Sequence, residues 1–77
     1  MNVEWFDATI NGFKQRHPFQ PFTVELASGT RHQVEHVNAI VAHEGHAVLI
    51  GPGHVPIFFD HEGVSQIVDG LIESKND

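Results

Sequence analysis

Pro21-Phe22-Thr23-Val24-Glu25-Leu26-Ala27-Ser28-Gly29-Thr30 is the stretch that decides the fold. Phe22, Val24 and Leu26 alternate with Thr23, Glu25 and Ala27, the period of a half-buried β-strand. Ser28-Gly29 follows as a tight hairpin signal, because Gly29 can take positive φ without a steric cost. The chain therefore doubles back. The returning strand runs from Thr30 to about Val37, with Val34 sharing the parity of His32 and His36, and Arg31, Gln33 and Glu35 on the other side. Asn38-Ala39-Ile40-Val41-Ala42 continues extended, through a bulge or bend near Asn38.

Downstream, Glu44-Gly45 marks a second turn and His46–Ile50 a third strand, with Val48 and Ile50 on one side and Leu49 on the other. Gly51-Pro52-Gly53 is a third turn. Val55, Ile57 and Phe59 alternate as a fourth strand, and Pro56 confines that strand to an edge or a bulge because proline cannot donate to a ladder. Asp60 can cap one helical turn over Glu62–Gln66. Ile67, Val68, Leu71 and Ile72 then form a short fifth strand or a short helix, and the strand with a preceding 3₁₀ turn is preferred.

Upstream, Val3, Phe6, Ile10 and Phe13 recur at spacings of three, four and three, one face of a helix. Asn2 is its N-cap, Glu4 and Asp7 lie at the end where the helix dipole favours negative charge, and Lys14 and Arg16 lie at the other. Pro18 ends the helix by forcing His17 out of the α region. The expected helix covers residues 2–15. His17 to Phe22 is an extended arm, pinned to the core by Phe19 and Phe22, since its two prolines forbid a helix.

These elements predict a single α+β domain over residues 1–77: helix 2–15, arm 17–21, sheet 22–72 and a frayed polar tail 73–77. An N-terminal helix followed by a four- to five-stranded antiparallel sheet with three tight turns resembles an SH3-like (Sm-like) small barrel. Fold likeness by itself implies no activity.

A second resemblance rests on residues. Pro18-Phe19-Gln20-Pro21-Phe22-Thr23-Val24-Glu25-Leu26-Ala27-Ser28-Gly29, followed by Val34 and His36, resembles a pattern P-F-x-P-F-x-h-x-L-x-x-G…V-x-H found in a family of short uncharacterised bacterial proteins. Val55–Asp60 and Ile67 match in kind that family's final apolar strand running into an aspartate. The resemblance covers most of the chain and implies a helix followed by strands, with no chemistry attached. His32 departs from it where an apolar residue is common, and Val37 where a proline is common.

Composition narrows the function. A domain of this size buries only roughly 60% of its unfolded surface. With no cysteine, disulfides cannot reinforce the small core, which leaves packing, a metal held by histidines, or association. Lys14, Arg16, Arg31 and Lys75 stand against ten carboxylates. Nucleic acid and anionic membranes are bound by clustered Lys and Arg, so neither is an expected partner. Seven histidines add positive charge only below about pH 6.5. No charged-then-apolar leader is visible, and no apolar run approaches the roughly 20 residues of a membrane span. The expected location is the cytoplasm.

No catalytic constellation emerges. Asp60, His61 and Ser65 hold triad residue types, but crowded into one short stretch and without an oxyanion hole. Gly51-Pro52-Gly53 lacks the lysine and the helix of a phosphate loop. His43-Glu44-Gly45-His46 is an H-x-x-H set in a turn, where the two imidazoles need not converge, so both read as solvated residues. His32 and His36 share a strand face but stand about 13 Å apart along it. No enzyme activity and no cofactor are expected.

Aromatic content says more. Six phenylalanines and Trp5 are more than one small barrel readily buries. Phe58-Phe59 places one ring on each sheet face, and Trp5 lies about 100° off the helix stripe. The leading expectation is a non-enzymatic module that self-associates or docks on another protein through Trp5, Pro56 and Phe58. The alternative is a small-ligand or metal-binding module using His32, His36 and His61. Sm-like RNA binding ranks third, because the charge opposes it.

Overall fold

Asn2 opens the first element: its side-chain oxygen accepts the Trp5 N–H at 2.8 Å, and helix α1 runs Val3–Lys14 in the computed structural model, which describes residues 1–71. Gln15 is the C-cap, so the expected helix of 2–15 is the observed one with its caps included. Phe6 and Ile10 are fully buried, as the stripe requires, while Val3 in the first turn is partly exposed. Lys14 extends from the last turn to the Ile40 carbonyl at 2.6 Å, joining helix to sheet.

The arm is braced by aromatic contacts. His17–Pro18 is a cis peptide. Phe22 stacks on Phe13 with ring centroids 4.9 Å apart, and Phe19 meets Phe22 edge-on at 6.2 Å. Arg16 covers the outer side of Phe13 at 4.6 Å, donates to Asp69 at 2.9 Å and donates to the Gln20 carbonyl at 3.0 Å.

Six strands follow: β1 Phe22–Leu26, β2 Arg31–Val34, β3 Ile40–His43, β4 His46–Ile50, β5 Pro56–Asp60 and β6 Val64–Asp69. They form two antiparallel three-stranded sheets, ordered β2-β1-β6 and β3-β4-β5. The α+β class stands. Among the described residues the strand count is six where four or five were expected, for one physical reason. The extended run Thr30 to Ala42, expected as one strand with a bulge or bend near Asn38, is cut in two by a 3₁₀ turn over Val37–Ala39. Its first half pairs with β1 and its second half with β4. The two sheets are not joined by a ladder into a closed barrel among the described residues.

Two smaller corrections concern the end of the chain. Asp60 does cap a turn, accepting Glu62 N–H and Gly63 N–H at 3.1 Å each, but the turn is His61–Gly63, not Glu62–Gln66. The residues beyond it are taken by β6, whose pairing with β1 outweighs local helix propensity. That strand ends at Asp69, with Gly70 N–H donating to the Pro21 carbonyl at 3.1 Å, so Leu71 lies past the sheet. The sheet expected to reach residue 72 thus stops earlier; residue 72 itself and the tail 73–77 fall outside the described residues.

Between the sheets and the helix lies one core. Phe6, Ile10, Phe22, Val24, Ile40 and Leu49 are its largest buried apolar members, drawn from α1 and both sheets. Removing a buried phenylalanine of this kind costs about 3–5 kcal/mol. Thr23, the one buried polar side chain among the described residues, is satisfied by donating to the Gly70 carbonyl at 2.8 Å.

Candidate functional site

The second sheet has one face in the core and one in solvent, and alternation decides which side chains stand outside. Ala47 and Leu49 of β4 point inward, so His46, Val48 and Ile50 point outward. In β3, Ile40 is buried and Val41 and His43 are out. In β5, Ile57 and Phe59 pack on the core while Pro56 and Phe58 face away.

Register then assembles these outward residues into rows. Val41 is opposite Val48, and Val48 is opposite Phe58, giving an apolar row across all three strands. One step along, Ile50 faces Pro56. In the other direction, His43 faces His46, and His46 faces Asp60. Phe58 is 76% exposed and Val41 57%, so no described element covers the row. A shallow open groove of about 400 Å³ lies there, with Val41, His43, His46, Val48 and Phe58 among its walls.

The hairpin that sets this register is a two-residue turn. Glu44 and Gly45 both have positive φ, 52° and 83°, the type I′ geometry that matches the twist of paired strands. Gly45 is held from three sides. Its N–H donates to Asp7 at 2.9 Å, its carbonyl accepts His61 N–H at 2.7 Å, and Val3 and His61 side chains close over its Cα.

Of the residues expected to form an interaction surface, Pro56 and Phe58 share the outward face of β5, which is an edge strand. Trp5 does not join them. It is 68% exposed on α1, beside Glu4 and Ala8, in a groove that shares no residue with the sheet face. Phe59, the inward partner of Phe58, meets Phe6 edge-on with centroids 6.2 Å apart.

The three histidines of the ligand reading are dispersed. His32 lies half-buried on β2 opposite Val24. His36 is exposed before the Val37–Ala39 turn, in a groove with Ile50 and His54. His61 donates through Nδ1 to the Met1 carbonyl at 2.7 Å. Among the described residues, no group of three or more His, Asp or Glu side chains stands close enough to hold a metal.

The triad residue types are likewise engaged apart. Ser65 donates to the Glu25 carbonyl at 3.3 Å, His61 is turned to Met1, and Asp60 caps its own turn. Among the described residues, the Lys and Arg side chains also have internal partners: Arg16 with Asp69 at 2.9 Å, Arg31 with Glu25 at 3.4 Å, and Lys14 with the Ile40 carbonyl. Among the described residues, no helix is long and apolar enough to cross a membrane.

Reading by sequence missed Val41 and Val48 as surface and His43 with His46 as a facing pair. The signal was present. A two-residue turn at Glu44-Gly45 fixes the register, and the register puts Val41 beside Val48. What alternation alone could not say is which side of β4 is the core side, since both sides are apolar. No family model, curated protein or solved structure matches the chain.

Proposed function

We propose that this chain is a non-enzymatic association module, and that the outward face of β3-β4-β5 is where it binds a second copy of itself. The Val41–Val48–Phe58 row carries this reading: three apolar side chains in register, Val41 and Phe58 exposed and Val48 half-buried between them, on a domain whose own core is small. Contiguous exposed apolar surface of this kind marks interaction sites. Its neutral rows suit a second copy of an acidic chain with a net charge of −6, because the carboxylates among the described residues sit on other elements or at the His43–His46–Asp60 end. Two such sheets can pack face to face at about 10 Å, with their side chains interdigitating.

Nucleic acid has no place in this proposal. Lys14, Arg16 and Arg31 are already spent on internal carbonyls and carboxylates, and phosphate binding needs free cations in a cluster. A cysteine-free chain suits a reducing compartment, so we place it in the cytoplasm. We also favour the SH3-like architecture. β2 and β3 act as one strand that changes sheets at the Val37–Ala39 corner, and β6 returns to pair with β1. Corners of this type are how orthogonal sheets share strands.

Sedimentation velocity on the full chain tests the association. The wild-type protein is expected to dimerise at tens of micromolar, and Phe58→Lys to remain monomeric with unchanged circular dichroism. A wild-type chain that stays monomeric at millimolar concentration removes the proposal.

A further inference from the structure

We propose that His43 and His46 are half of a divalent transition-metal site, of the zinc class, which a second copy of the chain completes. It rests on the association just described. The first observation is placement: the two histidines face each other across β3 and β4, both outward and both exposed. Directly opposed residues in an antiparallel pair have Cβ atoms about 4.5–5.5 Å apart, a span over which two imidazoles can share one ion.

The second observation is rigidity. Both histidines flank the type I′ turn whose Gly45 is bonded to Asp7 and to His61. The turn therefore presents the pair from a fixed backbone. Glu44, between them, puts a carboxylate oxygen 3.6 Å from His43 Nε2, placing negative charge beside the pair.

The third observation is incompleteness. Structural zinc takes four ligands; this pair supplies two, and among the described residues no group of three or more His, Asp or Glu side chains stands close enough to hold an ion. A two-fold axis through the histidine row supplies the other two. In sheets packed about 10 Å apart, an ion midway lies about 5 Å from each backbone plane, within reach of an imidazole nitrogen. The Val41–Val48–Phe58 row lies two residues away along the strands, about 7 Å, so the same axis buries both apolar rows. The cation also offsets the repulsion between two chains that each carry a net charge of −6.

The test is sedimentation equilibrium of the full chain with EDTA and with added ZnCl₂, with the bound zinc measured. Zinc is expected to tighten dimerisation tenfold or more, at one ion per two chains. His43→Ala/His46→Ala abolishes that response, measured against the same variant's own zinc-free dimerisation, and His36→Ala/His54→Ala leaves it intact. Dimerisation indifferent to zinc, or one ion per chain with no change in mass, overturns the site and leaves the apolar association standing. Loss of the zinc response in the His36→Ala/His54→Ala protein also overturns it. A monomer with and without zinc overturns both proposals.

Discussion

The Asp7 carboxylate accepts the Gly45 N–H at 2.9 Å, tying the middle of the helix to the tip of a hairpin 38 positions later. Gly45 also accepts from His61 through its carbonyl. Helix, hairpin and the β5–β6 turn therefore meet at one residue that has no side chain.

Gly45→Ala is the sharpest probe of that junction. A Cβ there would stand 2.8 Å from His61 Cδ2 and 3.1 Å from Val3 Cγ2, on a backbone with φ of +83°. A non-glycine residue held at such φ costs about 1–3 kcal/mol before any clash. Urea unfolding should show a clear fall in midpoint at constant m-value. A midpoint equal to wild type would show that the junction yields.

Asp7→Ala removes the acceptor and leaves the Gly45 N–H part-buried. Hydrogen bonds to charged groups contribute about 1.5–3 kcal/mol, and partial exposure puts this one near the lower end. Asp7→Asn keeps an acceptor and should lose less. Amide hydrogen exchange at Gly45 reports the bond itself, accelerating in the alanine variant.

Phe58 and Phe59 are adjacent in sequence and opposite in consequence. Phe59→Ala strips a ring that meets Phe6 edge-on and should cost about 3 kcal/mol. Phe58→Ala, 76% exposed in the single chain, should change its stability by less than about 0.5 kcal/mol. Its loss is expected instead in dimer affinity. Equal destabilisation by the two would mean that β5 is misregistered.

Asp60→Ala takes the cap from the His61–Gly63 turn, where two N–H groups depend on it. Loss of such a cap costs about 1 kcal/mol, and Asn at the same position restores most of it. Thermal unfolding of the two variants side by side distinguishes capping from charge.

Much of this fold is legible in the chain because local physics decides it. The stripe Val3–Phe6–Ile10 with Asn2 ahead of it, the strand at Phe22–Leu26, and the paired turns at Gly29 and Gly45 each need only neighbours to be read, although Thr23, expected on the outer face, is buried. The break at Val37–Ala39 was hidden, because residues before and after it are equally extended and only their partners differ. The site was half visible for the same kind of reason. Pro56 and Phe58 announce an outward strand edge, whereas Val41 and Val48 could serve a core or a surface equally well until register places them. Trp5 shared their exposure but not their location.

The corner at Val37–Ala39 also dictates an order of events. Beyond it, β3, β4 and β5 form a meander closed by short connections, so that sheet assembles from neighbours along the chain. The other sheet cannot finish so early. Its β1–β6 ladder joins positions such as Glu25 and Gln66, 41 apart, and long loop closures are slow. During synthesis, the hairpins after the corner can zip as they emerge, while β1 keeps an unpaired edge until β6 has left the ribosome. An interruption in translation between Asp60 and Asp69 would therefore release a chain with one finished sheet and one open edge, the species most prone to pair with the wrong strand.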